Sequence, residues 1–350
     1  MKPLPPLTIT TIGSLPFLTD EEALSLLEQN CPYLPAWPQL VRRHPREDML
    51  LQATDGLPLL SVDEAQRKVT VQDQGRPAAL TTFYEHFLAG DYEYFAIPET
   101  SGGRSLEAMI DWVKEVPSFG PEFLKAQISG PVSFGESIRT SDEKTLLDDP
   151  ELKDTVVKGL AAKAAWLAGR IRDLNRIPLI FIDEPGLTGF GSAFSSRTRE
   201  EVIEMINEIA EIVRSGGEAL LGIHVCGNTD WGMLAATTLD VINFDAFSYL
   251  DHFLLYPRDL NRFFQRGGYV AWGIVPTVAY TGRETPEGLA DQLIEAWRRL
   301  TGHGLEMNLL RDRALITPSC GLGSLTEENA RAILSLLPQA AQAIARRCPG

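Results

Sequence analysis

Short apolar runs alternate with longer amphipathic stretches along most of the chain. The apolar runs predict strands at Thr8–Ser14, Leu57–Val62, Leu124–Ser129, Leu179–Asp183, Leu220–Cys226, Val241–Phe244, Tyr269–Ile274 and Ala314–Thr317. The amphipathic stretches predict helices, among them Asp20–Gln29, Leu152–Leu174, Ser196–Ser215, Thr285–Leu300 and Thr326–Arg346. Strands that alternate with helices indicate a parallel sheet, and about eight such units indicate a closed (β/α)8 barrel.

Polar residues at the ends of these runs favour the barrel over an open sheet. They are Ser14, Asp183, Glu184, His224, Cys226, Asp245 and Cys320. Contributions from many strand ends fit the ring of loops at the carboxyl end of a TIM barrel. An open doubly wound sheet usually carries a glycine-rich phosphate turn, and no such motif follows a strand here. We therefore expect an α/β fold, a TIM barrel in which residues 1–350 form a single catalytic domain.

Residues 63–120 interrupt the alternation of strands and helices. They contain Gly102-Gly103 and several aromatic residues, namely Phe83, Tyr84, Phe87, Tyr92, Tyr94 and Phe95. Two interpretations stay open at this point. The segment is either an irregular insertion over the mouth of the barrel or a helical hairpin whose aromatic side chains pack together.

The composition narrows the class of protein. The chain has 350 residues, of which 44% are hydrophobic, as in an ordinary soluble globular protein. Its net charge of −15 argues against nucleic acid or an anionic membrane as a partner, because both bind basic patches. No apolar run approaches the ~18 residues of a spanning helix, and the N-terminus lacks the apolar core of a signal peptide.

The cysteines indicate the compartment. Cys31, Cys226, Cys320 and Cys348 are too few and too scattered for a disulfide framework. We therefore expect a cytoplasmic protein with reduced thiols.

Two segments carry a candidate metal site. His224 and Cys226 are two positions apart on a predicted strand, so their side chains point to the same face. Cys320 follows a later strand and supplies a second thiol. One nitrogen and two soft sulfurs suit Zn²⁺, and three protein ligands leave a position open for a substrate. The alternative is a buried histidine with two inert core cysteines.

These segments, 222–228 and 316–323, resemble the zinc site of the cobalamin-independent methionine synthase family, in its C-terminal catalytic barrel. They are also similar to the corrinoid-dependent thiol methyltransferases of the uroporphyrinogen-decarboxylase-like superfamily. Segments 10–16 and 183–185 match the same families, and segment 125–132 does so more weakly. The resemblance implies a zinc-dependent enzyme of methionine biosynthesis that methylates a small thiol such as homocysteine.

The resemblance also assigns roles to single residues. It implies that Ile12 and Ser14 help to hold an amino-acid substrate and that Asp183 binds the substrate's ammonium group. Glu184 stands beside Asp183 as a second candidate catalytic acid; without the resemblance, this pair is equally well a helix-capping Asp and a solvated Glu. The family places a fourth, acidic zinc ligand on the next strand, where this chain has Asp245. A water molecule in place of Asp245 is the alternative.

The methyl donor is predicted from departures from the folate-dependent family. The motif His224–Asn228 has the His-x-Cys-Gly-Asn form of the corrinoid-dependent enzymes. The folate enzymes carry a second barrel and a histidine after the seventh strand, whereas 271–277 contains none. We expect a methylated corrinoid as donor, carried by a corrinoid protein as partner. The alternatives are a folate-dependent methionine synthase-like activity, a uroporphyrinogen-type decarboxylase and a non-enzymatic zinc- or corrinoid-binding protein.

Overall fold

A computed structural model describes residues 2–115, 120–191 and 197–348. Its strands are β1 Thr8–Ile9, β2 Leu60–Asp63, β3 Lys68–Val71, β4 Phe123–Ser129, β5 Ile177–Asp183, β6 Leu220–Val225, β7 Val241–Phe244, β8 Tyr269–Val275 and β9 Ala314–Pro318. Seven of them form one parallel sheet in the order β1-β9-β8-β7-β6-β5-β4. The order follows the chain around a curled sheet with helices outside it. This confirms the predicted α/β barrel.

Helices follow the strands. They are α1 Asp20–Asn30, α2 Met49–Gln52, α3 Arg76–Leu88, α4 Arg104–Glu115, α5 Pro131–Ser137, α6 Pro150–Arg172, α7 Arg199–Ser215, α8 Trp231–Ala236, α9 Ala246–Phe253, α10 Pro257–Gln265, α11 Pro286–Thr301, α12 Met307–Asp312 and α13 Glu327–Arg347. The predicted start of α7, Ser196, lies outside the described residues. Thr198 and Glu201 form a capping box at the start of this helix, which satisfies amide groups that have no partner within it. Among the helices described, none is long and apolar enough to cross a membrane.

Residues 35–39 close the barrel between β1 and β4. The Trp37 N–H donates to the Lys125 carbonyl at 2.8 Å, and the Gln39 N–H donates to the Gly13 carbonyl at 3.0 Å. Both contacts are parallel bridges, so this short segment takes the place of the second barrel strand. This strand was not predicted, because prolines in the segment are typical of a loop.

The strand predicted at Leu57–Val62 is therefore wrong as a barrel strand. The observed strand β2 pairs only with β3, in an antiparallel hairpin. The residues of β2 are at least partly exposed, whereas every residue of the barrel strands β4 and β6 is buried. Parallel barrel strands are covered on both faces and read as continuous apolar runs, which distinguishes them from this hairpin.

The segment 63–120 is more regular than expected. It contains most of the β2–β3 hairpin and the helices α3 and α4, with residues 116–119 outside the described part. The ring of Phe83 makes edge contacts with Tyr84 and Phe95, with centroids 5.2 and 5.4 Å apart. The interpretation as a helical segment that packs its aromatic side chains therefore describes α3 and the turn after it. The β2–β3 hairpin also reaches the mouth of the barrel, where Arg67 lies.

Alternation along the strands sets which side chains face the barrel lumen. Leu179 and Phe181 pack in an apolar cluster with residues of the neighbouring strands, among them Leu220 and Val241. Successive side chains of a strand point to opposite faces, so Asp183 points the same way as Phe181, two residues further along. The polar site therefore lies above an apolar plug that fills the lower barrel.

Lys163 ties α6 to two loops outside the barrel. Its ammonium group is buried and donates to the carbonyls of Asp55 at 2.8 Å and Phe95 at 2.7 Å. Burial lowers the pKa of Lys163 to about 8, and the nearby Asp55 charge opposes this shift.

Replacing Lys163 by methionine is expected to change how stability depends on pH. Between the folded pKa of about 8 and the ordinary value of 10.5, the unfolded chain binds more protons than the folded chain. The cost of burying this charge is complete below the folded pKa and is relieved as pH rises through that interval. We expect wild-type stability to rise relative to Lys163→Met by up to ~3 kcal/mol across it. Urea unfolding at both ends of the interval measures this; parallel pH profiles would contradict it.

Candidate functional site

Four polar residues form a row across adjacent strands at the carboxyl end of the barrel. Ser129 of β4 is in register with Asp183 of β5, which is in register with His224 of β6. His224 is in turn in register with Asn243 of β7. All four side chains are buried. Parallel strands end on one face, so the fold alone places these groups side by side.

The three predicted soft ligands lie together. His224, Cys226 and Cys320 each offer a ligand atom, and these atoms all lie within 4.8 Å of one another. Cys226 follows β6 and Cys320 follows β9, so the curled sheet brings the two thiols together. This group of one nitrogen and two sulfurs has the donor set that Zn²⁺ prefers.

The hydrogen bonds of Asn243 fix the tautomer of His224. The Asn243 amide nitrogen donates to the Ala271 carbonyl and to the Thr317 hydroxyl, both at 2.8 Å. A carbonyl can only accept, so the amide oxygen must face the other way, towards His224 Nδ1 at 2.6 Å. Nδ1 therefore carries the proton, and the lone pair of Nε2 is free.

The environment of the second ring nitrogen of His224, Nε2, bears on whether it can bind a metal. Nε2 is buried and has no hydrogen-bond partner among the described residues. Burial lowers the pKa of His224 to about 4, the bond to Asn243 opposes the shift, and the Lys125 charge adds to it. The imidazole is thus neutral at physiological pH, as a metal ligand must be.

The two thiols influence each other's ionisation. The interaction with the neighbouring Cys320 thiol lowers the pKa of Cys226 to about 7, although burial opposes the shift. The same interaction, together with burial, raises the pKa of Cys320. A pair in which one sulfur is readily ionised is suited to bind a soft cation, because the thiolate is the ligand.

Asp245 is not brought into this group. Its carboxylate caps α9 by accepting the Ser248 N–H at 2.9 Å, and burial raises its pKa. No Asp245 oxygen belongs to the group of ligand atoms within 4.8 Å of one another in the described part of the chain. The candidate ligand atoms that lie together among the described residues are therefore those of His224, Cys226 and Cys320, without Asp245.

Asp183 faces the cavity as a buried carboxylate. Its Oδ1 has no hydrogen-bond partner among the described residues. Burial raises the pKa of Asp183 to about 7, and the positive charge of Lys125 opposes this. An unpartnered buried carboxylate is costly, so this position is suited to a ligand that brings a hydrogen-bond donor or a positive charge.

Glu184 has a different environment. Its carboxylate accepts hydrogen bonds from the Val132 N–H at 2.9 Å and from the Ser133 N–H and hydroxyl at 2.7 and 2.6 Å. Burial raises its pKa to about 7 against these three bonds. Glu184 does not line the cavity that contains the thiols and instead joins β5 to the start of α5.

Ile12 and Ser14 line the same cavity as Asp183. The loop that carries them is tied to the loop of Cys320, because the Leu322 N–H donates to the Ser14 carbonyl at 2.9 Å. A side chain at Gly321 would place its Cβ 2.1 Å from the Ser14 hydroxyl. The glycine after Cys320 thus permits the two loops to approach closely.

Lys125 is a polar residue beneath the site, and the sequence pointed to it only as part of segment 125–132. It is fully buried, donates to the Ile12 carbonyl at 2.7 Å and to Gln127 Oε1 at 3.0 Å, and lies over the Phe181 ring. Burial lowers its pKa to about 8, and the Asp183 charge opposes this. Its charge therefore balances that of Asp183 while its hydrogen bonds hold the loop of Ile12. The sequence signal that could have identified Lys125 is a lysine inside an apolar strand.

The cavity has a volume of about 470 Å³. Besides the predicted residues, its lining includes Gln39, Val41, Arg42, Asp48, Met49 and Arg67. These come from the closing segment, the loop after it, the start of α2 and the β2–β3 hairpin. They could not be predicted, because their positions depend on contacts between distant parts of the chain.

Asn243 is expected to position His224 for metal binding. Replacing it by alanine frees the imidazole to rotate and to exchange tautomers, so zinc affinity should fall by ~10–100-fold, the usual cost of losing a residue that orients a metal ligand. Thr317→Val removes only the outer hydroxyl and should cost less. Competition against a chromophoric chelator measures both. Unchanged affinity in a folded Asn243→Ala protein would contradict the role.

Comparisons with known proteins bear on the fold. No protein-family model and no curated protein matches this chain. A B12-independent methionine synthase from Shewanella sp. W3-18-1, solved in complex with selenomethionine, matches with a TM-score of 0.58 and 15% identity over 98% of both chains. A metagenomic xyloglucan-specific endo-β-1,4-glucanase has a TM-score of 0.40 and 13% identity over 75% of this chain and 87% of its own. A xylanase from Cellvibrio japonicus has a TM-score of 0.39 and 12% identity, with the same coverage. The first likeness shows that this chain shares its TIM-barrel fold with a known enzyme.

Proposed function

We propose that this protein is a zinc-dependent thiol S-methyltransferase of the methionine-synthase type, with homocysteine or a similar small thiol as acceptor. The observation that carries the proposal is the cluster of His224 Nε2 and two thiols at the carboxyl end of a TIM barrel. The similarity of the motifs to the cobalamin-independent methionine synthase family supports the same conclusion, and so does the fold.

The residues fit a zinc ion. The imidazole of His224 is neutral with a free lone pair, and Cys226 is readily ionised next to Cys320. Bound zinc would lower the pKa of a coordinated acceptor thiol, so that the sulfur is a nucleophile at neutral pH. The carboxylate of Asp245 is engaged at a helix start, so the fourth position is available to the acceptor.

The other predicted residues then bind the acceptor. Asp183 provides a buried carboxylate whose Oδ1 has no hydrogen-bond partner in the described part of the chain, which suits the ammonium group of an amino-acid thiol. Ser14 and Ile12 also line the cavity, and their loop can hold the amino acid's carboxylate. Lys125 holds this loop from below through the Ile12 carbonyl.

We further propose a methylated corrinoid as donor, presented by a corrinoid protein. A folate nitrogen leaves poorly unless an acid protonates it, whereas cobalt leaves with its electron pair and needs no proton. The end of β8, where a proton donor would stand, carries Thr277, whose hydroxyl is hydrogen-bonded to Ser319 at 3.0 Å. Neither hydroxyl is an effective acid at neutral pH.

The direct test is methyl transfer to homocysteine by the zinc-loaded enzyme. Methylcobalamin and methyl-tetrahydrofolate are assayed side by side, and methionine is quantified by mass spectrometry. We expect turnover with the corrinoid and at least ~100-fold less with the folate, since general acid help is worth ~10²–10⁴-fold. Preferential use of the folate would overturn the donor, and no methionine from either donor would overturn the activity.

A further inference from the structure

Two arginines line the outer end of the cavity. Arg42 lies in the loop after the closing segment, and Arg67 lies at the end of the turn of the β2–β3 hairpin. Both are exposed, whereas Asp183 and His224 at the inner end are buried. The inner end of the cavity therefore carries the candidate ligands, and its mouth carries two exposed arginines. Two arginines at the mouth of the cavity are unexpected in a chain with a net charge of −15.

Hydrogen bonds to backbone carbonyls hold both guanidinium groups. Arg42 donates to the carbonyls of Ser324 at 3.2 Å and Leu325 at 2.6 Å. Arg67 donates to the Val41 carbonyl at 3.2 Å. Neither arginine forms an ion pair with a carboxylate of the described residues. Each group thus keeps its positive charge and further N–H donors.

The turn that presents Arg67 has an unusual backbone conformation. Arg67 has φ of 49°, a left-handed conformation that is costly for a side chain of this kind. Glu64, in the same turn, forms an ion pair with Arg46 at 2.8 Å, which holds the hairpin against the loop of Arg42. The third charged residue at the mouth, Asp48, accepts the Leu50 N–H at 3.0 Å and caps α2.

We propose that Arg42 and Arg67 form a subsite for an anionic group, a carboxylate or a phosphate, on the methyl donor. The assignment to the donor rests on the proposed function; the anion subsite itself does not. An acceptor that places its sulfur at the thiols and its ammonium at Asp183 occupies the inner end of the cavity. The donor must approach from solvent through the mouth, where planar arginine forks bind carboxylate or phosphate oxygens.

The subsite can be tested without any methyl transfer. The zinc-loaded protein is titrated with inorganic phosphate, and thermal stabilisation gives an apparent affinity. We expect Arg67→Gln to weaken this affinity about tenfold, the scale of one charge-assisted contact. Arg283→Gln is the matched control, since Arg283 is an exposed arginine that does not line the cavity. An equal phosphate response in the wild type, Arg67→Gln and the control would overturn the subsite.

The second experiment asks which substrate carries the anion. KM is measured for methylcobalamin, whose anion is a phosphodiester, and for methyl-tetrahydrofolate, whose anions are carboxylates. We expect Arg67→Gln to raise KM about tenfold for whichever donor the wild type uses, with zinc content and the KM for homocysteine unchanged. A rise in the KM for homocysteine alone would show that the arginines bind the acceptor and would overturn the donor assignment.

Arg42→Gln is a second variant of the subsite, and its zinc content serves as a control. Arg42 contacts the loop that follows Cys320, so zinc content is measured in the same sample. Retained zinc with a weakened donor or phosphate response supports the subsite. If neither donor is turned over by the wild type, the proposed function fails while the phosphate titration still decides the subsite.

Discussion

Replacing Cys320 by alanine is expected to remove zinc from the purified protein. The remaining His224 and Cys226 provide one nitrogen and one sulfur, and two ligands do not form the tetrahedral site that zinc requires. We expect affinity to fall by more than the ~100-fold upper range for a residue that only orients a ligand. Thiol methylation should be lost with the metal. Metal analysis after dialysis against a weak chelator measures the zinc content.

The chain offers a matched control for this experiment. Cys348 is a free cysteine at the end of α13 and lies outside the cavity. Cys348→Ala therefore removes a thiol that is not part of the candidate metal site. Cys226→Ala should behave as Cys320→Ala does. All proteins are prepared with a non-thiol reductant, because the two cavity thiols are close enough to interact. Full zinc retention in both cavity variants would show that the three residues are a packed core and not a metal site.

Asp183→Asn is expected to weaken homocysteine binding by about 10–100-fold. The change keeps the volume of the side chain and removes the charge that faces the acceptor's ammonium group. A charge-assisted hydrogen bond contributes roughly 1.5–3 kcal/mol, which corresponds to this range. Calorimetric titration of the zinc-loaded protein with homocysteine measures the affinity.

An acceptor without an amino group separates this role from a general loss of structure. 3-Mercaptopropionate carries a thiol and a carboxylate but no ammonium group, so its affinity should be nearly the same in the wild type and in Asp183→Asn. Equal weakening for both thiols would mean that the substitution disturbs the site through Lys125, whose charge balances Asp183. Unchanged homocysteine affinity would mean that the acceptor is another thiol.

The strands of the second half of the barrel could be predicted closely from sequence. The predicted strand Val241–Phe244 agrees with the observed one, and the ends of β6 and β8 differ from prediction by one residue. These are buried parallel strands, which read as apolar runs without alternation. The closing segment 35–39 could not be predicted, because only its backbone bonds to both neighbours make it part of the barrel.

The candidate site, too, has a part that could be predicted from sequence and a part that could not. His224 and Cys226 share a strand end, so the sequence alone places their side chains on one side. Asp245 was a reasonable fourth ligand by position, but its carboxylate instead accepts an amide of the helix that begins beside it. Whether an acid at a strand end faces a cavity or caps a helix depends on the local turn, which the residue type does not specify.

By itself, the sequence determined the fold class, the ends of the strands in the second half of the barrel and the residue types available at those ends. Alternation along a strand and apolar periodicity are local properties, so they can be read from neighbouring residues. Only the tertiary structure decided that Cys320 meets Cys226, that Lys125 lies beneath Asp183 and that Arg67 reaches the mouth of the cavity. Such contacts join segments far apart in sequence, and they depend on the curvature of the whole sheet and on where the hairpin packs.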